Sequence, residues 1–260
     1  MKKIKKIISK CLIKTGQWAG TDPKLIEAVK DVEVLCRQFL FKDFPPYDEV
    51  RNSLVVRSLG TGFIEAMYIV NYLHLSMGIA GDVCEFGVAQ GRTSALLAHQ
   101  IRDCAKKIWL FDSFKGLPSP LKEDKLKDDI FNLNAIEKYK GTMACAARLV
   151  KRELSRIGFA SERVKIVPGF IEETIHHPDL PKKACFAYVD FDFYSPILTA
   201  LNFLDKVLEK SGFVVVDDYD FFSTGAKTAV DEFMASHPEK YVFSLPIEPA
   251  GKFCVIQKIA

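Results

Sequence analysis

The spacing of apolar residues changes near residue 81 and divides the chain into two patterns. Before that point apolar residues recur every three or four positions, the period of a helix that buries one face. A first helix is predicted after Asp22-Pro23, a typical helix start, and a second from about Gly62 to Met77. The pattern therefore predicts a helical cap over residues 21–80.

After residue 81, short apolar runs alternate with helical segments. Five runs predict strands: Asp82–Phe86, Lys107–Phe111, Val164–Val167, Cys185–Phe191 and Phe213–Val216. Helices are predicted at about 92–103, 132–157, 196–210 and 225–236, and two late strands at Tyr241–Leu245 and Phe253–Lys258. Continuous apolar strands separated by helices indicate a mostly parallel sheet covered on both faces. We predict an α/β, Rossmann-like domain over residues 81–260, whose seven-stranded sheet ends in an antiparallel edge pair.

The charge of the chain is unevenly distributed. The 36 lysines and arginines exceed the 33 acids by three, but residues 1–20 hold six lysines and no acid. The remaining residues therefore carry 30 bases against 33 acids, a balance that argues against a nucleic-acid binder whose body tracks phosphates. Residues 1–20 form a basic arm without the uninterrupted apolar region of a signal peptide. Residues 1–14 are interpreted either as a solvated helix or as an amphipathic helix in peripheral contact with an anionic membrane.

The seven cysteines indicate a reducing compartment. Their number is odd, and no two of them form a C-x-x-C pair. Cys84, Cys185 and Cys254 lie inside apolar runs and are interpreted as buried free thiols. We therefore expect a cytoplasmic protein without a disulfide framework or a zinc site.

The first predicted strand ends in a turn with two glycines. Gly87 and Gly91 follow Glu85 and precede Thr93, in a G-x-x-x-G spacing that differs from the G-x-G-x-x-G of dinucleotide binders. An acid before the first glycine would repel a pyrophosphate, but it suits a ligand with a cationic centre and an amine. The alternative interpretation is a tight turn without a ligand.

The next two strand ends carry candidate contacts to a nucleoside. Asp112 ends the second strand, where an acid is placed to accept both hydroxyls of a ribose. The alternative for Asp112 is a helix cap. At the third strand end, Gly169 permits close backbone approach and Phe170 is placed to flank a base.

Four aspartates follow the fourth and fifth strands, namely Asp190, Asp192, Asp217 and Asp218. Carboxylates that converge at neighbouring strand ends repel each other and raise each other's pKa. A hard divalent cation such as Mg²⁺ or Ca²⁺ relieves this repulsion, because it takes oxygen ligands. The pattern predicts a metal site, with helix capping by Asp218 or Asp220 as the alternative.

Five motifs in this order and spacing resemble the macrocin O-methyltransferase (TylF/MycF-like) family of class I S-adenosylmethionine (SAM) methyltransferases. They are Glu85–Val88 with Gly91, Phe111–Pro118, Val189–Tyr194, Gly212–Tyr219 and Ala229–Phe233, and the resemblance covers roughly residues 55–250. It implies Mg²⁺ held by Asp192, Asp217 and Asp218. It also implies SAM over Glu85–Thr93 with its ribose on Asp112, next to Ser113. Asp190 is assigned to the cofactor, but strand alternation puts it on the same face as Asp192, so the sequence does not separate the two.

The resemblance does not identify the general base. Family members can supply a histidine from the segment before the third strand, but residues 104–163 contain none. Catechol-type relatives use a lysine three positions after a metal aspartate, and that position here is Ser195. Asp192 is therefore the candidate base by default.

The expected function is SAM- and Mg²⁺-dependent O-methylation of a sugar hydroxyl in a glycoside, nucleotide sugar or glycan. Two alternatives stay open: O-methylation of a phenolic or catechol-like diol, and a non-catalytic SAM-fold scaffold in glycan assembly. We expect residues 115–135 to form a mobile lid over the acceptor. We also expect the protein to be a homo-oligomer.

Overall fold

The computed structural model of the protein describes residues 22–58 and 60–260. Three helices precede the sheet: α1 (Pro23–Phe39), α2 (Glu49–Arg57) and α3 (Phe63–Leu75). Asp22 caps α1 as predicted, because its carboxylate accepts a hydrogen bond from Lys24 N at 3.0 Å. The basic arm predicted at residues 1–20, with its membrane contact, lies outside the described residues.

Helix α2 was not predicted from the sequence. Its buried face includes Arg51 and Asn52 beside Leu54 and Val55, so the apolar period that marks an amphipathic helix is missing. Asp48 begins the helix by accepting a hydrogen bond from Arg51 N at 2.9 Å.

The sheet has seven strands in the order β3-β2-β1-β4-β5-β7-β6. The strands are β1 (Asp82–Phe86), β2 (Ile108–Asp112), β3 (Val164–Pro168), β4 (Ala184–Val189), β5 (Leu208–Val216), β6 (Tyr241–Ser244) and β7 (Cys254–Lys258). Strands β1 to β5 pair in parallel, whereas β7 pairs antiparallel with both β5 and β6. The predicted α/β class, the seven strands and the antiparallel edge pair are confirmed.

Helices cover both faces of this sheet. They are α4 (Arg92–Gln100), α5 (Ala147–Arg156), the short α6 (Ile171–Thr174), α7 (Tyr194–Val207) and α8 (Thr224–Ser236). Consecutive strand residues serve opposite cores: Val83 packs with α3, α4 and α5, whereas Cys84 packs with α7 and α8. Within the described part of the chain, no helix combines the length and the apolar character needed to cross a bilayer.

The prediction of a helix over 132–157 was wrong for its first half. Helix α5 begins only at Ala147, and a single 3₁₀ turn at Ile136–Tyr139 precedes it. Asp129 explains the difference, because its carboxylate accepts hydrogen bonds from Leu133 N at 2.8 Å and Asn134 N at 2.7 Å. These bonds fold the chain into a loop in which Asn134 has a φ of 64°.

The boundaries of β4 and α7 are among those that differ from the sequence prediction. Strand β4 ends at Val189 rather than at residue 191, so the acidic stretch that follows it is irregular backbone. Helix α7 runs from Tyr194 to Val207, and Gly212 lies inside β5 rather than ending the helix. The six cysteines in the described part of the chain are free thiols, as expected.

Candidate functional site

The carboxyl ends of the five parallel strands meet at one edge of the sheet. Backbone hydrogen bonds join their last residues: Gly169 N to Asp112 O at 2.9 Å, Gly87 N to Phe111 O at 2.9 Å, Asp190 N to Phe86 O at 2.7 Å and Asp217 N to Val189 O at 2.8 Å. The candidate residues of all five strand ends therefore come together along this edge, where open α/β sheets bind ligands.

The glycine turn between β1 and α4 is shaped first by packing. Gly87 has a φ of 88°, and a Cβ there would lie 1.8 Å from the carbonyl oxygen of Asp190. Gly91 has a φ of 77° and forms the left-handed N-cap of α4. Both glycines are thus required by the fold itself, while Ala89 and Gln90 between them are exposed.

Asp112 holds this turn in place. Its Oδ2 accepts hydrogen bonds from Val88 N at 2.7 Å and Ala89 N at 2.9 Å, and its Oδ1 accepts one from Phe114 N at 2.6 Å. A carboxylate has about four acceptor positions, and three are filled by backbone N–H groups. About one acceptor position therefore remains for a ligand hydroxyl, whereas the sequence predicted that Asp112 accepts hydrogen bonds from two ribose hydroxyls.

Glu85 lies fully buried below the turn rather than on its exposed side. The Ser94 hydroxyl of α4 donates to its Oε2 at 2.5 Å, while Oε1 has no hydrogen-bond partner among the described residues. Burial raises the pKa of Glu85 to about 8, even though the Ser94 hydrogen bond lowers it. Because Oε1 lacks a partner, the hydrogen bonds that Glu85 makes within the protein do not fully offset the free-energy cost of burying it.

The remaining predicted cofactor residues lie close to the turn and are tied to their neighbours. Thr93 Oγ1 is 3.4 Å from Thr61 Oγ1, which joins α4 to the loop before α3. The Ser113 hydroxyl donates to Gly116 O at 2.9 Å and fixes its own turn. Gly169 has a φ of 137°, and the half-buried Phe170 begins the short helix α6.

Three carboxylates form a compact cluster beside the turn. One oxygen each of Asp190, Asp192 and Asp218 lies within 4.8 Å of the others, and Asp192 and Asp218 are hydrogen-bonded to each other. Burial, reinforced by the neighbouring carboxylates, raises the pKa of all three and that of Asp218 to about 10. Protons or a cation must therefore balance the cluster, and three carboxylates are a donor set that suits Mg²⁺ or Ca²⁺.

The structure groups these aspartates differently from the sequence prediction. The three clustered carboxylates include Asp190, predicted for the cofactor, but not Asp217, predicted as a metal ligand. Tyr188 O–H donates to Asp217 Oδ2 at 2.7 Å, and Asp218 N donates to Asp217 Oδ1 at 2.8 Å. Both oxygens of Asp217 thus have protein donors, although its charge still raises the pKa of Asp190 and of Asp218, whose backbone is left-handed with a φ of 55°.

Sequence reasoning missed Glu65 of α3. Its carboxyl group, 5% exposed, is hydrogen-bonded to Asp217, and burial together with the Asp217 charge raises the pKa of Glu65 well above its usual value. Gly62 N donates to Glu65 Oε2 at 3.2 Å, so the N-terminal turn of α3 reaches the acidic edge. A lone acid in an otherwise apolar helix, Phe63–Val70, is the sequence signal that could have identified it.

The segment predicted as a mobile lid is hydrogen-bonded to the loop that follows β5. Lys127 N donates to Phe222 O at 3.0 Å, and Thr224 N donates to Lys125 O at 2.9 Å. Beneath the segment lies a small separate core of five buried residues: Leu117, Ile136, Tyr139, Phe193 and Phe222. The segment is therefore anchored next to the carboxylate cluster.

Solved structures with the same fold include methyltransferases. The chain resembles the O-methyltransferase NovP with a TM-score of 0.67 and 20% identity, over 93% of this chain and 100% of that one. It resembles the calicheamicin methyltransferase CalS11 with a TM-score of 0.57 and 19% identity, over 94% of this chain and 98% of that one. These likenesses show the fold.

Curated relatives match a shorter part of the chain. An 8-demethyl-8-(2,3-dimethoxy-alpha-L-rhamnosyl)-tetracenomycin-C 4'-O-methyltransferase of Streptomyces olivaceus is 30% identical over 56% of this chain and 55% of its own length. A mycinamicin III 3''-O-methyltransferase of Micromonospora griseorubida is 29% identical over 62% of this chain and 63% of its own length. The chain thus spans less than two thirds of these relatives. The model of the Macrocin-O-methyltransferase (TylF) family matches residues 69–245, and the chain belongs to that family.

Proposed function

We propose that the protein is a SAM-dependent O-methyltransferase that modifies a sugar hydroxyl of a glycoside, nucleotide sugar or glycan. The observation that carries this proposal is the cluster of Asp190, Asp192 and Asp218 beside the glycine turn, in a chain of this family. Both relatives described above are named as O-methyltransferases, and the name of the first contains a rhamnosyl group.

The glycine turn and Asp112 are the proposed cofactor site. When bound, SAM supplies an electrophilic methyl group on a cationic sulfur. The Asp112 carboxylate beside the turn suits this positive charge and the amine of the same molecule, whereas the buried Glu85, whose pKa is raised to about 8, would add negative charge only after losing its proton. The remaining acceptor position of Asp112 is available to one ribose hydroxyl.

The three clustered carboxylates are the proposed site for Mg²⁺. Asp190, Asp192 and Asp218 offer one oxygen each within 4.8 Å, which leaves the rest of an octahedral shell to water and substrate oxygens. When bound, the ion supplies charge that orients neighbouring hydroxyls and lowers the pKa of the one that reacts.

Asp192 is the proposed general base. Its carboxylate is 8% exposed and belongs to the proposed metal site, so it would lie beside a hydroxyl that the ion orients. It would take the proton that the hydroxyl loses as the new carbon–oxygen bond forms and the carbon–sulfur bond of SAM breaks, which leaves S-adenosylhomocysteine. The other residues of the edge would hold the hydroxyl in line with the methyl group and sulfur of SAM. Such orientation supplies a large part of the rate enhancement in a reaction of this kind.

The test combines labelled SAM with a panel of nucleotide sugars, glycosides, glycans and aromatic diols, with Mg²⁺ or with EDTA. We expect label in a sugar product only when the metal is present. Asp218→Asn should abolish this turnover, while calorimetry should show SAM binding close to that of the unaltered protein. Full turnover in EDTA would overturn the metal site, and label found only in the diols would overturn the sugar acceptor. The absence of SAM binding would favour the scaffold alternative.

A further inference from the structure

We propose that Asp124 is a positioning residue for the carboxylate cluster, because it caps α7 and thereby fixes the turn that carries Asp192. Asp124 lies in the segment between β2 and α5, far from the cluster in sequence. The inference deepens the proposed function, since it takes the cluster to hold a divalent cation.

The carboxylate of Asp124 substitutes for a missing helix cap. Residue Phe193 precedes α7 and provides no side-chain cap, but Asp124 Oδ1 accepts a hydrogen bond from Tyr194 N at 2.8 Å. Its Oδ2 accepts one from Leu121 N at 2.8 Å, and only 3% of the residue is exposed. A buried anion at this position satisfies a free N–H group and opposes the positive end of the helix dipole.

The Asp124 carboxylate packs tightly against Gly225. A Cβ on Gly225 in the first turn of α8 would lie 1.8 Å from Asp124 Oδ1 and 2.7 Å from Tyr194 N. Gly225 is thus required by space rather than by backbone conformation, since its φ is not positive. The Asp124 segment, α7 and α8 meet at this one carboxylate.

The same contacts continue to Asp192. Asp192 lies two residues before Tyr194 and has a left-handed backbone with a φ of 62°. Its carbonyl oxygen accepts a hydrogen bond from Ser223 Oγ at 2.9 Å, and Ser223 Oγ also accepts one from Gly225 N at 3.0 Å. Asp192 is therefore held by Ser223 on one side and by Asp124, through α7, on the other.

Loss of the Asp124 carboxylate should therefore disturb metal binding rather than cofactor binding. Without the cap, the first turn of α7 can unwind and the strained backbone of Asp192 can relax. The oxygen of Asp192 would then leave its place beside Asp190 and Asp218. The glycine turn and Asp112 have no contact with Asp124 among the hydrogen bonds of the described residues, so SAM binding should be spared.

The test compares Asp124→Ala and Asp124→Asn with Asp129→Ala as a matched control. Asp129 lies in the same segment, but within the described part of the chain its carboxylate has hydrogen-bond partners in that segment alone, namely Leu133 N, Asn134 N and the Tyr139 hydroxyl. The measurements are the dissociation constant of Mn²⁺ by calorimetry, the dissociation constant of SAM, the kcat and the thermal midpoint.

We expect Asp124→Ala to weaken Mn²⁺ binding about tenfold, as is usual when a residue that orients a metal ligand is lost. The dissociation constant of SAM should stay within about twofold. Asp124→Asn keeps an oxygen for Tyr194 N and should recover most of the Mn²⁺ affinity. Asp129→Ala should lower the thermal midpoint while leaving Mn²⁺ affinity unchanged.

Several outcomes would overturn the proposal. If Asp124→Ala folds and binds Mn²⁺ with unchanged affinity, the positioning role is wrong, but the proposed metal site stands. An equal loss of Mn²⁺ affinity in Asp129→Ala leads to the same conclusion. If Asp124→Ala does not fold, Gly225→Ala displaces the carboxylate without deleting it, and an unchanged Mn²⁺ affinity there also contradicts the proposal. No Mn²⁺ binding in the unaltered protein would overturn the proposed metal site and this inference with it.

Discussion

Asp112 and the cluster of Asp190, Asp192 and Asp218 are acids at the same edge of the same sheet, yet their surroundings differ. The Asp112 carboxylate accepts three backbone N–H groups at 2.6 to 2.9 Å. The clustered carboxylates face one another within 4.8 Å. Asp112 is therefore satisfied by the protein itself, whereas the cluster needs a cation or protons to complete it.

This difference shows that a position at the end of a strand does not by itself determine the role of an acidic residue. The decisive factor is the number of backbone donors that the following turn points at the carboxylate. The turn after β1 directs two N–H groups at Asp112, and the turn after β2 directs a third. The segments after β4 and β5 direct few towards the cluster, since Asp218 N bonds to Asp217 instead.

After the loss of turnover expected for Asp218→Asn, the largest effect should follow from Asp190→Asn, which removes one cluster carboxylate and keeps its shape. We expect kcat to fall about a hundredfold to a thousandfold, or about 3–4 kcal/mol of transition-state stabilisation. Asp217→Asn is the matched control, because Asp217 faces Tyr188 and Glu65. The check is turnover of labelled SAM with titrated Mn²⁺. A larger loss of Mn²⁺ affinity in Asp217→Asn would show that Asp217 rather than Asp190 completes the metal site.

The pH dependence of the free energy of unfolding should reveal that the cluster needs protons or a cation to balance its charge. The folded protein raises the pKa of Glu85 to about 8 and that of Asp218 to about 10, so it keeps protons that the unfolded chain releases above about pH 4. In EDTA, these two groups should therefore contribute most to the free energy of unfolding at and below about pH 4, and their contribution should fall by several kcal/mol by pH 8.

Urea denaturation at several pH values checks this expectation. Saturating Mg²⁺ should flatten the fall, because the ion replaces the protons of the cluster. Glu85→Gln and Asp218→Asn should each flatten it in part, even in EDTA. A stability that rises between pH 5 and pH 8 in EDTA would contradict the raised pKa values.

Asp112→Ala should have an intermediate effect. It leaves the N–H groups of Val88, Ala89 and Phe114 without their acceptor, and we expect a loss of about 1–3 kcal/mol in stability. SAM affinity should fall about tenfold or more, because the turn loses its fixed shape and a ligand contact. Calorimetry and urea denaturation measure both. Asp112→Asn keeps one acceptor oxygen and should lose less; equal losses would show that the charge alone matters.

The smallest effect should follow from Lys127→Ala. Lys127 bonds to the carboxylate of the half-exposed Asp220, and this hydrogen bond is the main cause that lowers the pKa of Asp220. Asp220 thus has a cation from the protein itself, in contrast to the neighbouring cluster. We expect a loss of less than about 1 kcal/mol, which salt should reduce further. Thermal denaturation checks it, with the exposed Lys122→Ala as control.

The places of the seven strands along the chain could be predicted because the apolar runs are short and bounded by polar residues. β1 spans Asp82–Phe86 both in the prediction and in the structure. The helical spacing at residues 132–146 was misleading, because the Asp129 carboxylate competes for the backbone N–H groups that a helix would use. Helix α2 was missed because Arg51 and Asn52 lie on its buried face.

The site itself was only partly predictable. Parallel strands bring their carboxyl ends together, so the sequence indicated the edge and its acids. It could not indicate which of Asp217 and Asp218 faces the cluster, since this depends on a left-handed backbone at Asp218 and on Tyr188 and Glu65. The contact of Asp124 with Tyr194 N was hidden for the same reason, because it joins distant parts of the chain.

The left-handed backbone of Asp192 and Asp218 has a consequence for how their contribution should be dissected. Their φ values are 62° and 55°, a region that aspartate and asparagine tolerate better than alanine. Alanine scanning would therefore remove a carboxylate and add a conformational penalty in a single step. Asparagine removes the charge and keeps the shape of the side chain, whereas glycine removes the whole side chain without adding backbone strain. The two substitutions together, rather than alanine, would give an unbiased account of either aspartate.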